Sequence, residues 1–69
     1  MESWYDKEED VLNIQIREGG YWKSIELPSG IVIDIAKDGS VVAFEVMRAS
    51  KIFSGDAHKV IEVAKPMPA

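Results

Sequence analysis

Four side chains of this 69-residue chain have the types and spacing to do polar chemistry together: Ser24, Glu26, Asp34 and Glu45. Each occupies an every-second-residue position in a strand-like run, so alternation sends all four to one face of a sheet. Three carboxylates on one face suit a hard divalent cation, which takes oxygen ligands, or a division of labour between general acid and general base. Strands stand about 4.8 Å apart, so Glu26 and Glu45, two strands apart, would be about 9–10 Å apart at their backbones. Asp34, beside Ser24, is the first of the set to test. The plain reading competes: an amphipathic sheet must turn a polar half to water, and alternation alone accounts for these residues.

Val11, Trp22, Val32 and Val41 fall on the same face and are harder to assign to solvent. A tryptophan among three valines makes the kind of small apolar patch that marks a contact between proteins, unless the first strand or the tail covers it. Other constellations are missing. The chain has no cysteine, which removes a Cys–His dyad, a thiolate zinc site and any disulfide. His58 is the only histidine, and it reads as a solvated or capping residue. The segment Asp6-Lys7-Glu8-Glu9-Asp10 lacks the ligand spacing and glycine of an EF-hand loop and reads as a solvated turn. No phosphate loop or dinucleotide fingerprint is present. We therefore expect no catalytic residue, no metal site and no cofactor.

The elements that must position these side chains are read from alternation and turn chemistry. Ile31 to Val46, IVIDIAKDGSVVAFEV, has two alternating apolar runs around Asp38-Gly39, a strong hairpin signal. Val11 to Ile16 alternates with Leu12, Ile14 and Ile16 on one side, and Tyr21 to Leu27 places Ile25 and Leu27 on one side. Gly19-Gly20 reads as a two-residue hairpin turn and Pro28-Ser29-Gly30 as a three-residue loop.

Loop length and parity agree across these turns. They pair Ile35 with Val42, Ile33 with Phe44, Ile31 with Val46, Leu27 with Ile31, Ile25 with Ile33, Ile14 with Ile25 and Leu12 with Leu27. On the second face they give the rows Glu26–Val32–Glu45, Ser24–Asp34–Ala43 and Trp22–Ala36–Val41. Lys23 is the misfit, opposite Ile16 and Ile35, and belongs at the end of the sheet with its stem over apolar surface. Ser3-Trp4-Tyr5 is a further short β-prone piece.

A one-sided sheet needs a cover. Met47 to Ser54 drops the alternation, spaces Ala49, Ile52 and Phe53 as a helical stripe, and meets Gly55 as a C-cap. Residues 56–65 suit either a helix, with Asp56 as N-cap and Ala57, Val60, Ile61 and Ala64 on one face, or a sixth strand rich in Val60, Ile61 and Val63. Pro66 to Ala69 reads as a tail. The expected architecture is α+β: an antiparallel β-meander of four to five strands with one face covered by a C-terminal helix. Residues 1–69 form a single small domain, with 4–53 as sheet plus helix and 54–69 as extra helix or strand and tail.

Size and charge bound the function. A chain this short buries only about 60% of the surface its unfolded form exposes, so stability is marginal without a supplement, and with no disulfide, oligomerisation is the supplement left. The net charge is −4, and residues 1–10 supply all of it: five acids against Lys7, while the remainder balances seven acids with seven bases. No basic patch exists for phosphates, so neither nucleic acid nor an anionic membrane is an expected partner. No apolar run approaches the ~20 residues that span a bilayer, and the acidic start is unlike a signal peptide. The expectation is a soluble cytoplasmic protein.

Several pieces together resemble one family, that catalogued as domain of unknown function 2283. They are Tyr5-Asp6, Asp10-Val11-Leu12-Asn13-Ile14, Gly30-Ile31-Val32-Ile33-Asp34, Asp38-Gly39, Val42-Ala43-Phe44-Glu45-Val46 and Ala49-Ser50-Lys51. The likeness covers about residues 4–52. It departs at Leu27-Pro28-Ser29, at Ala43 where glycine is usual, and at Arg48 where an acid is common. It implies no activity, because the family has none assigned. Some relatives look like the small member of a toxin–antitoxin-like gene pair, which implies an antitoxin-like partner role.

Three functions follow as expectations. The first is a non-catalytic interaction module, forming a homo-oligomer or binding one small protein through Val11, Trp22, Val32 and Val41. The second is a ligand or cation site at Ser24, Glu26, Asp34 and Glu45, possible as an enzyme. The third is the antitoxin-like role.

Overall fold

A computed structural model describes residues 2–66. The elements in chain order are β1 (Glu2–Asp6), β2 (Val11–Gln15), β3 (Lys23–Glu26), β4 (Ile31–Ile35), β5 (Val41–Met47), α1 (Ala49–Ile52), a 3₁₀ turn (Gly55–His58), α2 (Lys59–Glu62) and β6 (Lys65–Pro66). All six strands form one sheet in the order β3-β4-β5-β2-β1-β6. It is a mostly-sheet α+β fold. The sheet is mixed, because β6 runs parallel to β1 while the other pairs are antiparallel. The purely antiparallel meander is thereby corrected.

The meander holds for β3, β4 and β5. The Pro28–Gly30 loop closes as expected: Leu27 N–H donates to the Ile31 carbonyl at 2.8 Å, Gly30 N–H donates to the Leu27 carbonyl at 3.0 Å, and Gly30 takes φ 90°. Ile25 faces Ile33, Ile33 faces Phe44, and Ile31 faces Val46.

The Asp38-Gly39 turn differs from the expected two-residue loop. Ala36 N–H donates to the Ser40 carbonyl and Gly39 N–H donates to the Ala36 carbonyl, both at 2.9 Å, so the loop is Lys37-Asp38-Gly39. Gly39, at φ 87°, supplies the left-handed residue that such a three-residue loop requires. The Asp38 carboxylate holds the corner by accepting Ser40 N–H at 2.9 Å and the Ser40 hydroxyl at 2.6 Å. The one-residue offset is absorbed at once. Ile35 lies opposite Val41 rather than Val42, and the pairing returns to the expected register at Asp34–Ala43, leaving Val42 as the extra residue of a bulge. The third second-face row is therefore not made: Val41 meets Ile35, and the Trp22 N–H bonds the Ile35 carbonyl at 2.8 Å.

The larger correction concerns β2. It lies beside β5, not β3, so Leu12 faces Val46 and Ile14 faces Phe44. Gly19-Gly20 is a left-handed bend, φ 71° and 79°, in a crossover rather than a hairpin turn. The N–H groups of Ile16 and Arg17 both bond the Val42 carbonyl, at 2.8 and 3.2 Å, holding the exit of β2 on β5. The physical reason is length and burial. β5 has seven residues and takes a neighbour on each side, whereas all four residues of β3 are exposed. Both arrangements set apolar against apolar, so parity could not distinguish them. Lys23 does lie opposite Ile35, at the edge of the sheet.

The cover is slighter than a helix over Met47 to Ser54. Met47 belongs to β5, and α1 is a single turn entered through Arg48 at φ 52°. Gly55 opens the 3₁₀ turn instead of capping a helix. Residues 55–62 are helical and 65–66 form a strand, so each reading of the segment 56–65 is met in part. Pro66 is in β6, and the rest of the expected tail lies outside the described residues.

The core gathers Leu12, Val46, Ala49 and Ile61, with Tyr5, Ile14, Ile31, Phe53 and Ala64 packed against them. Ile52, Val60 and Ala57, expected on the covering face, are exposed. Leu12 has no exposed surface, and burying such a side chain fully stabilises by about 1.5–3 kcal/mol. No helix among the described residues is long and apolar enough to cross a membrane.

Candidate functional site

The polar set lies on three strands. Ser24 and Asp34 are directly opposite, and the Ser24 hydroxyl donates to Asp34 Oδ1 at 2.6 Å. The Tyr21 hydroxyl stands 3.0 Å from Ser24 Oγ, which makes a short chain Tyr21–Ser24–Asp34 on the surface. Glu26 faces Val32, and Val32 faces Glu45, as the register argument gave. That valine stands between the two glutamates in their row, so they do not converge. Glu45 continues toward Asn13 and then Trp4 across β2 and β1. Among the described residues, no three carboxylate, histidine or cysteine side chains cluster to hold a metal ion. The arrangement offers a solvated hydrogen-bonded pair rather than a shared carboxylate site.

The apolar set spreads along the whole length of the strands. Val11 is opposite Met47 at one end, Val32 is midway, and Val41 is opposite Ile35 at the other end. All three valines are half-buried, and only Trp22 is open to solvent, at 46% exposure. Lys23 folds back so that its ammonium lies 4.5 Å from the centre of the Trp22 ring. Such a contact attracts the cation to the face of the ring.

A different grouping emerges around Trp22. Tyr21, Trp22, Ile25 and Leu27 are exposed at 60%, 46%, 42% and 37%, and they lie within one seven-residue stretch that contains β3. Ile25 and Leu27 were assigned to the covered face, yet the core under the helical cover draws on β1, β2, β5 and Ile31 of β4 and does not include them. The signal was available in part, because a cover of a few residues cannot span a sheet this wide.

The knot at Asp10 was also missed. Its carboxylate accepts the Tyr5 hydroxyl at 2.5 Å, the Ser50 N–H at 3.0 Å and the Ser50 hydroxyl at 2.7 Å, while its carbonyl accepts the Ala49 N–H at 2.9 Å. The Tyr5 hydrogen bond, followed by that of Ser50, lowers the Asp10 pKa below the ordinary aspartate value. The same bond raises the Tyr5 pKa, with desolvation adding to it. A carboxylate with this many donors is a fastener between the β1–β2 turn and α1, with little capacity left for a substrate. His58 packs no site; its Nδ1 lies 3.6 Å from Glu62, one helical turn on.

In a comparison with known families, a family model described as Protein of unknown function (DUF2283) matches residues 3–50. The Tyr5, Asp10 and Ser50 fastener falls within that span. Neither the curated proteins nor the solved structures gave a match.

Proposed function

We propose, for a chain that belongs to the DUF2283 family of proteins of unknown function, a non-catalytic role in protein association through the β3 side of its sheet. The observation that carries this reading is the open apolar stretch from Tyr21 to Leu27, on a strand exposed at every position. Exposed aromatic and branched side chains side by side are the material of contact surfaces. The carboxylates fit the polar half of a sheet better than a site, because Val32 separates Glu26 from Glu45. Of the valines first considered, none is as open as Trp22, so the contact region narrows to 21–27. The cysteine-free sequence suits a reducing compartment such as the cytoplasm.

Concentration-dependent amide NMR tests the reading. Raising the protein from about 10 μM to about 1 mM, a range suited to a weak small interface, should broaden or shift the signals of residues 21–27 selectively. Trp22→Asp should suppress the effect. Spectra that do not change with concentration would sink self-association through this stretch.

A further inference from the structure

The two edges of the sheet are built differently. Among the described residues the β6 edge has two residues, and Pro66 has no N–H to offer. The β3 edge, Lys23–Glu26, has no proline or bulge inside it. Its lysine is drawn back over the Trp22 ring. The strand carries one Lys and one Glu, so two copies approach without net repulsion. Natural proteins usually blunt an open edge by such devices as proline, charge or a bulge.

The direction of its backbone groups follows from the ladder. Leu27 N–H bonds Ile31, and Met47 N–H bonds Gly30 at 3.0 Å on the far side of β4. Antiparallel strands alternate between residues bonded to one neighbour and residues turned away from it. Lys23, Ile25 and Leu27 therefore bond β4, while Ser24 and Glu26 direct their N–H and C=O groups outward. Each copy thus presents two free donors and two free acceptors along this edge.

We propose that a second copy of this chain pairs with it, β3 against β3 and antiparallel, about a two-fold axis through Ile25. The proposal rests on the association reading above and gives it a partner and a register. A two-fold perpendicular to the sheet keeps every side chain on its own face, so facing residues must share parity. Three registers then place outward groups opposite one another. Centring on Ser24 sets Trp22 against Glu26, but the Trp22 N–H is already given to Ile35. Centring on Glu26 sets Ser24 against Pro28, which has no N–H. Centring on Ile25 sets Ser24 of one copy against Glu26 of the other, twice. Every outward N–H then meets an outward C=O. The two Ile25 side chains meet on the axis, on the face where Leu27 is also left open. Two six-stranded sheets become one continuous sheet.

The register has a chemical test that this cysteine-free chain makes clean. Facing residues of a non-hydrogen-bonded antiparallel pair have Cα atoms about 4.5 Å apart. That is within the roughly 4.4–6.8 Å a disulfide spans. Ile25→Cys should cross-link to a covalent dimer under mild oxidation, whereas Ser24→Cys and Leu27→Cys, each facing a different residue, should remain monomeric thiols. Glu26→Pro removes an outward N–H that the monomer does not use, so circular dichroism should be unchanged. Sedimentation equilibrium should then show the dimer Kd raised about tenfold or more, for the two hydrogen bonds lost. Concentration-dependent signals at 21–27 with no Ile25→Cys cross-link and no response to Glu26→Pro would overturn the register and leave the association reading standing. A wild-type chain that sediments as a monomer throughout would overturn both the pairing and self-association through this stretch.

Discussion

Asp10 does with one side chain what larger domains do with a helix-length interface. It sits at φ 56°, a left-handed conformation that aspartate tolerates better than most residues, and from there reaches both Tyr5 and Ser50. Its folded-state pKa is lowered, first by Tyr5 and then by Ser50. The stabilisation is therefore present above the unfolded aspartate value, about 3.9, and is lost as pH falls through the lower folded value. An acid titration followed by circular dichroism should show the wild-type chain losing stability below about pH 4, the region of the unfolded value. Asp10→Asn should be less stable near neutrality and lose part of that acid dependence. If the acid limb is unchanged in Asp10→Asn, the carboxylate is not the fastener described. Tyr5 has the opposite sign: its raised pKa means that its contribution fades only as pH climbs past the ordinary tyrosine range.

At the scale of elements, the turn Lys37-Asp38-Gly39 sets the β4–β5 pairing through one backbone conformation. Nothing lies within 4 Å of where a Cβ on Gly39 would stand, so a substitution there tests φ alone. Gly39→Ala should cost about 1–2 kcal/mol in urea denaturation, the price of holding an L-residue left-handed. A change below a few tenths would mean that the loop can re-form in another geometry. The turn also shows what a sequence can specify. Side-chain parity assigned Ile25, Ile33, Phe44, Ile31 and Val46 to a common face, and those pairings form, because a one-residue slip would bury polar groups throughout. Parity is blind to which strand is the neighbour, so β2 could be matched with β3 or β5 equally well. Local alternation also carries no record of a bulge, and Val42 moved Ile35 onto Val41. The candidate site was legible to a similar depth. Ser24 against Asp34 followed from register, whereas the open state of Ile25 and Leu27 depended on how far a short cover reaches.

Considered whole, the molecule is a wide sheet with a narrow cover. Single-turn helices shelter Leu12 and Val46, and among the large side chains of the described residues only Leu12 is fully enclosed. A core this small has little redundancy. Leu12→Ala should cost about 2–5 kcal/mol, a large part of the stability of a domain of this size, and thermal melting should show a correspondingly large fall. A melting temperature within a few degrees of wild type would contradict a core centred on that residue. The uncovered remainder is the β3 side, where the proposed pairing would bury Ile25.

The placement of β2 also governs the order in which the sheet can be assembled. Its partner β5 is separated from it by residues 16–40, which include both strands of a different hairpin. A chain made from its N-terminus must therefore carry β1 and β2 as a lone hairpin until Met47 has emerged. Two-stranded hairpins are marginal in water, so residues 2–15 wait unprotected until β5 is complete. The central closure is a long-range event, and folding should be slower than the short hairpins alone would suggest. During that interval the protein exposes the flank of β2 as a temporary edge, one that the finished sheet no longer has.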